Sequence, residues 1–410
     1  MALPEPTVAV GSDEISFAIE ELFYSRTDQS GIILSGNSVF QRVSIYGWNE
    51  LSGRPHKIVR HPDMPRAVFF LLWDTIKKGQ PVGAYVKNRA KDGRFYWVFA
   101  IATPTEDGYL SVRLKPTSGL LAAIKREYPS HRAIEQRDKC TPADSARLLV
   151  ARLAELGFRD YAHFMATALS GEIDARNQQM GRPPDRIIRI FRDLVESAGS
   201  LMQQAGVISA EYEKNQYVSR NLQILAAHLE QQGATIDEIS NNYELISAEI
   251  KSNMTRFVTS AQQVFGTIND GLFLVCTAKI QQEVSRIVRD EPPLDGLSQD
   301  HEASCLEGQH EAYRAKAVEG LRTIARQTRN FRDDCFEMGR LAGGLRVTSV
   351  MGRMECARLS AVNSGLEALL GDLDTFQEQI AAALKQVNHI NQNLQRDTDA
   401  LLFAEADMCA

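Results

Sequence analysis

Two patterns of apolar and polar positions divide this chain. From residue 23 to about 117, short apolar runs alternate with turns, whereas from about 142 onward apolar residues recur at spacings of three and four over long stretches. Residues 31–35 read as a strand, and 37–46 carry Val39, Phe40, Val43 and Tyr46 at helical spacing, which predicts a short helix after it. A second helix is expected over 64–78, beyond Pro62 and Pro65, because Val68, Phe69, Leu72, Trp73 and Ile76 fall on one face. That face needs a sheet to cover. Three further strands supply one at 81–88, 94–103 and 109–115, joined across Lys91-Asp92-Gly93 and Glu106-Asp107-Gly108, since Asp-Gly between alternating runs is a hairpin signal. The prediction is an α+β domain, a small antiparallel sheet with short helices on one face.

The remainder predicts an all-α elongated bundle or coiled coil. Thr141-Pro142-Ala143-Asp144 is a helix start, and one helix is expected through Leu148, Leu153 and Phe164 to about Asn177, until Gly181-Arg182-Pro183-Pro184 breaks it. Leu222, Leu225, Leu229, Ile236, Ile239, Tyr243, Ile246 and Ile250 then form a three-four seam, as do Leu366, Leu369, Leu373, Phe376, Ile380, Ala383, Val387, Ile390 and Leu394. Residues 290–308, with Pro292, Pro293 and Gly296, read as a surface loop. Whether the chain turns at Gly233 is left open by the pattern. The divisions that follow are an N-terminal arm over 1–20, an α+β domain over 21–118, a linker over 119–143 and a helical region over 144–410.

Composition narrows the function classes. With 410 residues, Lys+Arg 46 against Asp+Glu 52 and a net charge of −6, nothing pulls the whole chain toward nucleic acid. The longest apolar run, 67–73, is far shorter than the ~20 residues a membrane helix needs, and residues 1–11 lack a basic segment before an apolar one, so no membrane span and a cytoplasmic protein are expected. Six cysteines without paired spacing read as reduced thiols. No phosphate-binding glycine loop, catalytic triad or paired carboxylates can be assembled, so no enzyme activity is expected. His301, Cys305 and His310 have a spacing that matches no standard metal finger.

The strings Phe23-Tyr24-Ser25-Arg26-Thr27-Asp28, Gly31-Ile32-Ile33, Asn37, Gly53-Arg54-Pro55-His56 and Ile58-Val59-Arg60-His61-Pro62-Asp63-Met64-Pro65 resemble the PAS domain of bacterial aerotaxis receptors. Leu72-Trp73, Lys77-Lys78-Gly79, Val86-Lys87-Asn88-Arg89 and Lys91-Asp92-Gly93 with Tyr96-Trp97-Val98 extend the resemblance over roughly 20–118. It implies a PAS sensor domain at 21–118 holding non-covalent FAD, with Asn37, Arg60, His61, Asp63, Asn88, Trp73 and Tyr96 as its cofactor-binding residues. Val82 stands where family members often carry a tryptophan that would lie against the ring.

The chemistry of these side chains can be set beside the resemblance. A flavin needs a flat apolar slot, hydrogen-bond partners for its uracil-like edge and positive charge near its diphosphate. Trp73, Phe69 and Tyr96 suit the slot, Asn37 and Asn88 the edge, and Arg60 the phosphate, with Asp63 expected to hold the guanidinium and His61 to add a titratable donor. Reduction protonates N5 and turns an acceptor into a donor, so a side chain bonded there must turn or let go. The plainer readings are an Arg60–Asp63 structural ion pair, Trp73 and Phe69 as helix core, and His56 and His61 as satisfied surface histidines.

In the helical region, 221–230 faintly resembles the approach to the signalling tip of methyl-accepting chemotaxis proteins, but the expected tip string does not follow. Gln281-Gln282 with Ser285 loosely fits an adaptation site, or a solvated face. The function these features imply is a redox or energy sensor passing signals through a dimerising helical module to a chemotaxis-type partner, with the linker over 120–139 as the route. The competing class is a cofactor-free PAS scaffold on a coiled-coil platform.

Overall fold

The computed structural model describes residues 13–215, 217, 220, 221, 224, 234–291, 298–358 and 364–409. The expectations for Leu222, Leu225, Leu229, Gly233, Pro292, Pro293 and Gly296 lie outside the described residues, as do the side chains of Ile236 and Leu366.

Five strands, β1 (Phe23–Asp28), β2 (Ile33–Gly36), β3 (Val82–Arg89), β4 (Phe95–Pro104) and β5 (Gly108–Leu114), form one antiparallel sheet in the order β2-β1-β5-β4-β3. The two Asp-Gly turns join β3 to β4 and β4 to β5 as expected. β1 has no strand signature of its own, because Ser25 and Thr27 are polar yet buried on an inward face. Between β2 and β3 lie α1 (Ser38–Ser44), α2 (Trp48–Leu51), a 3-10 turn (His56–Val59) and α3 (Arg66–Ile76). Asn37 caps α1 by accepting from the Phe40 amide, and Ile45, left-handed at φ 61°, ends it.

The strand pleat sorts side chains between the two faces of the sheet. Asn88, Ala100, Ala102, Ser111 and Arg113 line a cavity on one side. Tyr85 and Thr103 reach helices on the other. The expected linker is largely helical, α4 (Gly119–Arg137), and its Tyr128 hydroxyl donates to the Tyr85 carbonyl at 3.1 Å. The single helix expected up to Asn177 is two, α5 (Pro142–Glu155) and α6 (Tyr161–Gln179), because Gly157 takes φ +95° and Asp160 caps a fresh start. The break expected at Gly181 to Pro184 separates α6 from α7 (Arg186–Asn215).

Three long helices complete the described chain, α8 (Ala234–Asp290), α9 (Gln299–Arg358) and α10 (Ser364–Cys409). The chain forms two compact units: one takes in the described residues up to Arg189 with Asn269–Glu319, the other those of 190–268 and 320–410. The first unit therefore includes α5, α6 and parts of α8 and α9 that lie beyond residue 144. Glu172 of α6, fully buried, accepts from Tyr85 Oη at 2.6 Å, Ser118 Oγ at 2.6 Å and the Thr117 and Ser118 amides at 2.6 and 2.9 Å. Arg176 forks onto Glu283 at 2.7 and 2.9 Å.

Two sequence expectations are revised in this unit. Residues 299–308 belong to α9, where Ser298 Oγ accepts from the His301 amide, a cap concealed by the Pro/Gly signals just before it. His301 and Cys305 are helical neighbours, His310 Nδ1 meets the Ala278 carbonyl at 2.8 Å, and no metal-holding cluster occurs among the described residues. Gln281 and Ser285 are buried, Gln281 Nε2 donating to Thr103 Oγ1 at 3.2 Å, and of the glutamine pair only Gln282 lies on a solvated face.

In the second unit Ile239, Tyr243 and Ile250 of α8 and Leu373, Phe376, Ile380, Val387 and Leu394 of α10 are buried as the seams predict. Ile390 is only half-buried; Asn391 turns inward instead and donates to the Thr328 carbonyl at 2.9 Å. Phe257 and Phe331 stack at 4.8 Å between centroids. No helix among the described residues is long and apolar enough to cross a membrane.

Candidate functional site

Between the sheet and α3 lies a cavity of about 310 Å³. Its walls are apolar where Val59, Leu72, Trp73, Ile76, Val86 and Ala100 contribute, with Asn88, Ser111, His56 and Arg113 as polar groups, the composition expected of a ligand pocket. Trp73 stands in the wall with its ring edge-on to Tyr109 at 5.4 Å and against Gly31, whose φ of +79° favours glycine. Arg60 is at the rim, its guanidinium 3.7 Å over the Phe69 ring, and its backbone bridges to Asn88.

Arg60 is also shared by two surface clefts. One, of about 540 Å³, includes Ser30, Arg66, Phe69, Trp73 and Lys77; the other, of about 600 Å³, includes Arg54, Lys57, His61 and Arg89. Both mouths are thus lined by cations. Burial, then the neighbouring Arg132, lowers the Arg60 pKa.

Of the seven residues named from sequence, the cavity brings together Arg60, Trp73 and Asn88. Tyr96 is fully buried behind it on β4, opposite Asn88 in register, with a pKa raised by burial. Asn37 is not in the lining. Its amide is spent on the Tyr24 and Phe40 amides, the Leu22 carbonyl and Glu291. His61 and Asp63 also lie outside it, and Asp63 pairs with Lys87 Nζ at 2.8 Å and with His61 at 3.4 Å. The expected Arg60–Asp63 pair is therefore replaced, because Arg60 turns onto Phe69. Val82 is fully buried and not part of the lining.

Two residues outside those seven carry chemistry of their own. Arg113, 3% exposed on β5, donates through Nη2 to Ser25 Oγ at 2.9 Å and to His56 Nε2 at 2.5 Å, while its Nη1 is buried and unpaired. Burial pulls its pKa down to about 10. His56 is no surface histidine: its ring lies parallel to Phe40, 5.9 Å between centroids, and burial, then Arg113, pushes its pKa down to about 3.

The His56 value has a measurable consequence. Below pH 6.5 the unfolded histidine takes up a proton that the folded one refuses, so its contribution lowers stability as pH falls toward about 3, by up to about 1.4 kcal/mol per pH unit. His56→Gln keeps an acceptor for Arg113 but cannot titrate. Urea unfolding between pH 7 and 4 should show a shallower loss for the variant; parallel curves would contradict a neutral, buried His56.

A PAS fold family model matches residues 33–111. Residues 33–111 are a PAS domain. Over 109 residues the chain is 45% identical to the aerotaxis receptor of Escherichia coli (strain K12), a match covering 25% of this chain and 22% of that receptor. The chain thus matches about a fifth of the receptor's length. Among solved structures, the light-state LOV domain of the blue-light photoreceptor Aureochrome1 is 16% identical, with a TM-score of 0.24 over 27% of this chain and 91% of that one. A PAS domain from Colwellia psychrerythraea is 19% identical, with a TM-score of 0.21 over 23% and 86%. The PAS assignment gives the cavity its place, between the sheet and the short helices of the domain.

Proposed function

We propose that this chain is a cytoplasmic redox or energy sensor whose PAS domain holds FAD and whose helices pass the signal to a chemotaxis-type partner. The observation that carries the reading is a largely apolar cavity of about 310 Å³ that shares Arg60 with two cation-lined clefts. Trp73, Leu72 and Val86 suit a flat ring, Asn88 and Ser111 supply donors and acceptors to its edge, and Arg60 with Arg66, Lys77 or Lys57 suits a diphosphate. The unpaired Arg113 Nη1 is a buried polar group of the kind a polar guest compensates. When bound, the flavin supplies reversible acceptance of electrons and protons.

The chain's own contacts offer a route outward. His56 lies on Phe40 of α1, and the N-terminal end of α1 is held by Glu291, which accepts from Asn37 Nδ2 at 3.0 Å, from the Ser38 amide at 3.1 Å and from Ser38 Oγ at 2.9 Å. One strand away, Glu302 accepts from Ser35 Oγ at 2.6 Å and from Arg26 at 2.8 and 3.3 Å. A shift at His56 thus moves α1 against the end of α8, a shorter path than the 120–139 segment. Coupling of this kind is worth about 1 to 3 kcal/mol. For a second copy or a signalling partner, the second unit leaves Phe336, Val347, Val350 and Met354 of α9 exposed, the last three at helical spacing.

Hydrogen-exchange mass spectrometry of the FAD-loaded full chain, oxidised and dithionite-reduced, tests the sensing step. Altered protection in α1 and in peptides carrying Glu291 and Glu302 is expected. Identical exchange in both states would contradict it.

A further inference from the structure

Arg113 is a guanidinium in the wall of a cavity with no carboxylate against it among the described residues. Its neighbours are the Ser25 hydroxyl, the His56 ring and the faces of Phe23 and Phe40, 5.7 and 5.3 Å from its carbon. The nearest ionisable hydroxyl, on Tyr96, is kept protonated by burial. A buried cation without a counter-charge is costly, and cation–π contacts with two rings offset part of that cost only. Elsewhere in this unit the buried arginine is neutralised: Arg176 has the Glu283 fork. The exception is the one arginine that lines the cavity from the strand side, so the missing negative charge has a place to come from, the guest.

We propose that Arg113, braced by Ser25 and His56, is the residue that makes the cavity favour the electron-rich form of a bound ring, and so sets the potential at which the sensor switches. This inference rests on the flavin reading above and adds to it a specificity-determining residue. Two electrons from a reductant and one proton from solvent leave a flavin ring with one net negative charge, spread over the carbonyl oxygens and nitrogen of its imide side. A fixed guanidinium stabilises that form over the neutral oxidised one, through a charge-assisted hydrogen bond in a low-dielectric wall. His56 contributes by remaining neutral: as an acceptor it holds Nη2 and fixes the plane of the fork, and as a second cation it would repel Arg113. Ser25 accepts from the same nitrogen, which leaves Nη1 as the uncommitted donor.

The test is spectroelectrochemical titration, with dithionite, of the FAD-loaded full chain and of Arg113→Met and Arg113→Lys. Arg113→Met should still take up oxidised FAD, because Arg60 and the slot are untouched, but lose at least tenfold in preference for the reduced ring, about 30 mV lower in midpoint potential for a two-electron couple. Arg113→Lys should fall part of the way, since it keeps charge and loses the fork; if the methionine variant does not fold, any fall in the lysine variant upholds the inference. FAD uptake with an unshifted potential in the folded variants would overturn the role of Arg113 and leave the flavin reading standing. A wild-type chain that takes up no FAD would overturn both.

Discussion

Glu302→Ala should destabilise the sheet-containing unit by about 3 to 5 kcal/mol, the loss seen when one partner of a buried charge pair is removed. Glu302 is 4% exposed, and its two oxygens satisfy Arg26 twice and Ser35 once. Alanine would strand a guanidinium that is 17% exposed and a fully buried hydroxyl at the same corner. Glu302→Gln, which keeps an acceptor, should lose less. The change should be local before it is global: exchange protection in β2 and at the start of α9 should fall first, with urea unfolding reporting the total. A loss below about 1 kcal/mol would place the pair with surface ion pairs and remove the basis for a tight hold between the sheet edge and α9.

A second large effect is expected from filling the cavity. Ala100 lies on β4 opposite Arg113 and lines the space, and Ala100→Phe would put a benzyl group where a flat guest is proposed to sit. FAD affinity should fall at least about 100-fold, close to 2.7 kcal/mol. Stability should hold, because a side chain entering an existing void adds contacts without forcing its neighbours apart. Isothermal titration with FAD, alongside thermal melts, reads both quantities. Undiminished affinity in a folded variant would mean that the guest binds elsewhere.

How much of this was legible in the sequence depended on the range of the interaction. The strands on either side of Asp92-Gly93 and Asp107-Gly108 follow from local turn chemistry, and α3 from a face of Val68, Leu72 and Ile76, so the structure has them within a residue or two. β1 was hidden because both its faces are covered, which leaves Ser25 and Thr27 buried and erases the alternation. Gly157 and Asp160, a left-handed glycine and a helix cap, were readable signals that a continuous apolar pattern overrode.

At the site, sequence found Arg60, Trp73 and Asn88 and misplaced the partner of Arg60: Asp63, near in the chain, pairs with Lys87 instead, and Arg60 lies over Phe69. Arg113 carried a faint signal of its own: an arginine between Val112 and Leu114, two residues from Ser111, must share an inward face with it once the strand is half-buried. That Glu291 reaches the start of α1 and Glu302 the sheet from more than 250 residues away no local pattern contains.

A flavin held in the cavity is the proposal on which the sensing step rests. Purified full chain, incubated with excess FAD and desalted, should retain about one FAD per chain, with the visible flavin bands resolved and the ring fluorescence quenched beside Trp73. A colourless chain after desalting, with free FAD recovered in full, would contradict the account.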